Sequence, residues 1–159
     1  MGIVDKKLID NIVEAQRLYR SAEHLISVTF PVVKDTKLLL RGLESLHKSL
    51  ILAIGNILKF EHIYGRVSLG KDKDRNLRVF FLYCAMRYGL SEDDREIIKE
   101  ILFMGKKHRE SGMEFSRDGK LIILDDDMKE YELKQDRMKV FLEVVKRLLA
   151  NSNKGFKCT

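Results

Sequence analysis

Two cysteines, Cys84 and Cys158, are too few for a disulfide framework, and without Cys-x-x-Cys spacing they offer no cysteine-based zinc site of the usual kind. Free thiols of this sort suit a reducing compartment. Proline occurs once, at Pro31, and glutamine only at Gln16 and Gln135, while Lys, Arg, Glu and Leu recur throughout, a composition that resembles that of thermophile proteins. Long apolar runs are missing as well. The most apolar window, Leu50 to Phe60, is too short to span a bilayer and is interrupted by Asn56 and Lys59. The opening Met-Gly-Ile-Val-Asp-Lys-Lys leads into an amphipathic stretch rather than the apolar core of a signal peptide, and Lys6 stands where a myristoylation signal needs Ser or Thr. A cytoplasmic protein with no membrane association is expected. Absent too are the G-x-S-x-G elbow, the phosphate-cradling G-x-x-x-x-G-K-[ST] loop and G-x-G-x-x-G, so the common hydrolase, nucleotidase and dinucleotide readings lack support.

What the chain does contain is enough for one core. Its 159 residues, 45% hydrophobic and 34% charged, can bury an apolar interior beneath a well-solvated surface, which excludes disorder of the whole chain. A net charge of +6 favours acidic partners, nucleic acid among them, but 24 acidic residues are interspersed with 30 basic ones, as on ordinary solvated surfaces.

Leu8, Ile12, Ala15, Tyr19, Ala22 and Ile26 alternate spacings of four and three, which predicts a long amphipathic helix ended by Thr29, Phe30 and Pro31. A second helix is expected from Asp35, a good N-cap, to Gly65, which supplies a left-handed C′ residue. Its stripe, Leu39, Leu43, Leu46, Leu50, Ala53, Ile57, Phe60 and Tyr64, is wide enough to mark it as central, and Gly42 and Gly55 within it suggest close helix contacts. Residues 65–76 read as a polar loop. A short helix with Leu77, Phe81, Cys84 and Tyr88 on one face then stops at Gly89. Ser91-Glu92-Asp93-Asp94 reads as an N-cap with acids in the first turn of a fourth helix, which ends in Lys106-Lys107-His108-Arg109. Asp118-Gly119 between alternating segments is a type I′ hairpin signal, the Asp125-Asp126-Asp127 turn follows, and Met128 to Leu133 is a third short strand. Met138, Phe141, Val145 and Leu148 mark a last helix, with residues 151–159 as a frayed, flexible tail. The expected fold is mainly α: one domain over residues 1–150, an up-and-down bundle of about five helices with a small β-hairpin, at about 113–133, before the last helix.

Few side chains carry a chemical signature. Glu44 and His47 have the Glu-x-x-His spacing of di-metal bundles, but such a site needs the motif twice, and Glu14, Glu23 and Glu61 have no second histidine to match. His24, His62 and His108 are scattered singly, Cys84 lies on an apolar helical face, and the three aspartates lack the alternating ligands and closing Glu of an EF-hand. No metal, cofactor or small-molecule ligand is indicated. Basic residues cluster twice: Arg66, Lys71, Lys73, Arg75 and Arg78 around the long loop, and Lys106, Lys107 and Arg109 at the end of the fourth helix. If these converged they would form a phosphate-binding surface for RNA.

The stretch Leu43-Glu-Ser-Leu-His-Lys-Ser-Leu-Ile-Leu-Ala-Ile54, set in a run of long helices, resembles the HEPN superfamily of small α-helical domains. The likeness runs from Leu8 to about Arg109 and leaves the hairpin outside. Ribonucleases of that family use an arginine and a histidine four to six residues apart, and Arg41 and His47 have five residues between them. By the resemblance, Arg41 would hold the phosphate and His47 would assist proton transfer in metal-independent RNA cleavage. The residues themselves favour a module without catalytic activity that works through a partner, a homo-oligomer being one form, because its two widest apolar stripes exceed what folding must cover. The alternative is an RNA-binding protein or HEPN-type ribonuclease.

Overall fold

The computed structural model describes residues 3–157, so Cys158 lies outside the described residues. Six helical segments and one small sheet follow in the order α1 (Ile3–His24), α2 (Phe30–Val33), α3 (Lys37–Ile63), α4 (Lys73–Val79), α5 (Glu92–Glu110), β1 (Met113–Arg117), β2 (Lys120–Leu124), β3 (Glu130–Leu133) and α6 (Gln135–Lys157). The mainly helical bundle with a small sheet before the last helix is what the periodicities predict.

The central helix is α3, which packs against α1, α5 and α6. Three contacts set its direction against α1. Gly42 faces Ile26, Ser49 Oγ donates to the Ala15 carbonyl at 2.6 Å, and Asn56 Nδ2 donates to the Leu8 carbonyl at 2.8 Å, so the two helices run antiparallel. The Arg137–Glu100 and Arg147–Asp94 pairs order α6 against α5 in the same antiparallel sense. A Cβ on Gly42 would lie 2.7 Å from Ile26 Cγ1, which accounts for the glycine despite its helix cost. Gly55 differs from expectation, since a Cβ there meets nothing within 4 Å.

Two π-helical turns revise the sequence reading. The first helix does not end at Pro31. A π turn at Leu25–Thr29 carries the chain into α2, where Pro31 occupies the first turn and the Ile26 carbonyl five residues before it accepts instead from Gln135 Nε2 at 3.1 Å; Lys34, at φ 58°, then ends the run. A second π turn at Phe80–Cys84 joins α4 to the residues before Gly89. Because the Ala85 N–H reaches back five residues to the Phe80 carbonyl, the inward register slips by one, and Phe80 takes the fully buried place that a regular period assigns to Phe81.

Other boundaries moved for local reasons. The polar loop is shorter than residues 65–76, because the Asp72 carboxylate accepts from the Asp74 and Arg75 N–H groups and so starts α4 at Lys73. Ser91 and Asp94 form a full capping box for α5. The predicted tail is helical through Lys157, with Phe156 packed on Phe60 at a ring separation of 4.5 Å. Asp118 and Gly119, at φ 54° and 75°, make the expected hairpin turn, and β2 lies between β1 and β3 in an antiparallel sheet. Leu121, Ile122, Ile123 and Leu124 are all buried, as befits a central strand covered on both faces. No helix among the described residues is long and apolar enough to cross a membrane.

Candidate functional site

The pair that the sequence offered for RNA cleavage is not brought together. Six residues advance an α-helix by ~600°, which leaves Arg41 and His47 about 120° apart around α3. Arg41 is exposed, whereas His47 is 8% exposed and seated against Gly105 of α5. A Cβ on Gly105 would lie 2.2 Å from His47 Cδ2, so the absence of a side chain there is what admits the ring. Burial, and then the charges of Arg109 and His108, push the His47 pKa below its ordinary value, keeping the imidazole neutral.

Glu44 turns away from His47 as a partner. Its Oε1 accepts from His108 Nε2 at 2.7 Å, while His108 Nδ1 donates to Glu114 Oε1 at 2.5 Å. One imidazole therefore joins α3, α5 and β1. Burial opposes its charge, but the hydrogen bonds to Glu114 and Glu44, with the charges of both carboxylates, outweigh that and raise the pKa. With both nitrogens occupied, the ring acts as a clamp rather than a proton donor to a substrate. A raised folded-state pKa means that the clamp stabilises fully below the unfolded value near 6.5 and loses that contribution as pH rises through the folded value. Compared with a Glu44→Gln/Glu114→Gln variant, the protein should show an advantage of roughly 1–2 kcal/mol in urea unfolding at pH 6, shrinking towards pH 8.5. An advantage that is flat or grows with pH would be inconsistent with a protonated clamp.

Arg66 of the first basic cluster stands apart from the second cluster. The second lies at the end of α5, beside His47, and the first begins beyond the C-terminus of α3; residues 47 to 63 alone span ~24 Å of helix. Lys71, Lys73, Arg75, Arg78, Lys106 and Arg109 are exposed. Lys107 is turned inward, 3.6 Å from Asp125 and over the rings of Phe103 and Tyr131. Arg66 is engaged by Glu61 and stacks over Tyr64 at 5.2 Å. Among the described residues, no three His, Cys, Asp or Glu side chains are arranged to hold a metal ion.

Two further features emerge at the C-terminal end of α3. The first is a cleft of about 530 Å³ lined by Phe60, Glu61, Arg66, Arg87, Tyr88 and Lys154, with Gly89, Asn151 and Gly155 completing it. Glu61 is only 1% exposed. Its carboxylate accepts from Arg66 Nε, from Arg87 Nη1 at 2.9 Å and from the Tyr88 hydroxyl at 2.9 Å. Burial, followed by the bond to Glu61, drives the Tyr88 pKa upward, so the phenol stays protonated and donates. Nearby Cys84 is pushed up to about 11, mainly by burial, and is an inert structural thiol, as its apolar face predicted. Asn151 Nδ2 donates to the Tyr88 carbonyl at 2.8 Å and ties α6 to the cleft wall.

The second feature is apolar. Leu82, Tyr83 and Met86 are 73%, 65% and 74% exposed on the outer side of the segment whose inner side buries Phe80, Cys84, Ala85 and Tyr88. Arg75, Arg78 and Arg87, on α4 and on this segment, are exposed as well. Sequence periodicity identified the inner face but not the outer one, since Leu82 and Tyr83 look like core material in a run of Phe-Phe-Leu-Tyr. No family model matches this chain, and neither does any curated protein or solved structure.

Proposed function

We propose that this domain is a non-catalytic interaction module that docks an acidic, amphipathic helix of a partner protein on the Leu82–Tyr83–Met86 face. The observation that carries this reading is the exposure of three large apolar side chains within two turns, a concentration that soluble domains rarely leave unused. Charge selects the occupant. In a two-fold pairing centred between Leu82 and Tyr83, Arg87 of one copy would meet Arg78 of the other, so a second copy brings like charges together. An acidic partner meets those same arginines favourably. RNA is the weaker fit, because Leu82 and Met86 offer nothing to a phosphate.

The test is a selection from a displayed library of helical peptides against the protein and against its Leu82→Glu/Met86→Glu variant. The peptides recovered should carry apolar residues at i, i+3, i+4 and i+7 with acidic flanks, and should bind the variant at least ~30-fold more weakly. Peptides that bind both proteins equally, or none recovered on the wild type alone, would reject the docking face.

A further inference from the structure

Three cations, Arg66, Arg87 and Lys154, line the cleft at the end of α3, and one carboxylate, Glu61, faces them. Two positive charges remain unbalanced. We propose that this cleft binds a small organic phosphate monoester of about nucleotide size, with the phosphate held by the two guanidinium groups and Lys154 and the organic body against Phe60 and Tyr88.

The charge selects the class of ligand. A phosphate monoester carries about −1.5 to −2 near neutral pH, matching what the cleft leaves over, whereas a lone carboxylate meets only half of it and a metal cation is repelled. The donors are available. Arg66 spends Nε on Glu61 and Arg87 spends Nη1, which leaves the Nη groups of Arg66 and Nη2 of Arg87 for an anion. Glu61 is a positioning residue here. Held by the Tyr88 hydroxyl from inside the fold, it fixes both guanidinium groups before a ligand arrives, so less side-chain freedom is lost on binding.

The walls are equally fixed. Arg66 lies over the Phe60 and Tyr64 rings, and Phe156 backs Phe60 and Tyr88. Gly89 and Gly155 let Asn151 and the Tyr88 ring pack in closely, since a Cβ on Gly89 would lie 2.9 Å from Asn151 Nδ2 and one on Gly155 2.9 Å from Tyr88 Cε1. A volume of about 530 Å³ falls in the range of small-molecule sites. A purely structural ion cluster would account for Glu61 and its partners but not for a third cation beside them. The inference shares Arg87 with the docking face and otherwise stands on Glu61, Arg66 and Lys154.

The test uses the whole chain, labelled with nitrogen-15, and follows the Gly89 and Gly155 amides during titration with adenosine 5′-monophosphate, adenosine and inorganic phosphate up to about 10 mM. The monophosphate should shift both amides saturably. Its affinity should fall about tenfold in Arg87→Gln and several-fold in Lys154→Ala, an exposed position where the fold is not at stake, while Arg41→Ala leaves it unchanged. Adenosine should not saturate. Failure of the monophosphate to saturate, equal affinity in the wild type and Lys154→Ala, or inorganic phosphate binding as tightly as the monophosphate would each overturn the assignment.

Discussion

Replacing Gly105 by alanine should cost about 3 kcal/mol of stability, a large effect for one methyl group. The new Cβ would sit 2.2 Å from Cδ2 and 2.6 Å from Cγ of His47, so the whole ring must swing out of its seat rather than a flexible tip give way. In a His47→Ala background the same change should become neutral or favourable, because alanine exceeds glycine in a helix by about 1 kcal/mol. A urea double-mutant cycle should therefore report a coupling of about 3–4 kcal/mol. Additive effects would mean that the ring is not packed on Gly105. The pH dependence supplies a second reading. Since His47 has a lowered folded-state pKa, its neutral seat stabilises above pH 6.5 and loses that contribution as pH falls towards the folded value, the reverse of His108.

The second large effect is expected at Glu61. Glu61→Ala removes the acceptor for Arg66, Arg87 and the Tyr88 hydroxyl together and leaves a gap beneath the cleft. Breaking a fully buried ion pair costs about 3–5 kcal/mol, and partial solvent access at both arginines places this one lower, at about 2–4 kcal/mol. That corresponds to a drop of roughly 6–12 °C in Tm for a domain of this size. Glu61→Gln, which keeps the shape and one acceptor, should lose less than half as much. A loss below about 1 kcal/mol in Glu61→Ala would contradict a shared role in holding α3, Arg66 and the Tyr88 segment together.

The elements that were legible in the sequence are those whose signal is local and repeated. Leu39 through Phe60 recur at helical spacing and mark the inner face of α3, Ser91 and Asp94 cap α5, and Asp118-Gly119 turns the hairpin, each within a few residues. The two π turns were not legible, because they depend on how the segments pack. At Phe80–Cys84 the slip exchanges Phe80 for Phe81, two residues that composition cannot distinguish. The helical tail was missed for a similar reason. Residues 151–157 are polar apart from Phe156, and the packing of Phe156 on Phe60 and Tyr88 has no local signature.

The candidate sites were still less visible. His108 meets Glu44 across 64 residues, and Glu61 meets Arg87 and Tyr88 across 26 and 27. The Glu-x-x-His spacing of Glu44 and His47 suggested one partnership on α3, whereas long-range packing supplies another. Arg66 stood out as a cation for RNA because nothing nearby in the chain reveals that a buried carboxylate engages it. Arg87 and Lys154 carry no motif at all. Only the spatial convergence of α3, the Tyr88 segment and α6 makes them neighbours.

The proposed docking on the apolar face, without RNA cleavage by Arg41 and His47, has a direct test. The direct measurement is incubation of the metal-free protein, with its Arg41→Ala, His47→Ala and Leu82→Glu/Met86→Glu variants, with labelled single-stranded RNA at low salt. No cleavage by any of the four proteins, with at most weak, salt-sensitive binding that the Leu82→Glu/Met86→Glu variant leaves unaltered, is the predicted result; cleavage by the wild type that disappears in both Arg41→Ala and His47→Ala would contradict it.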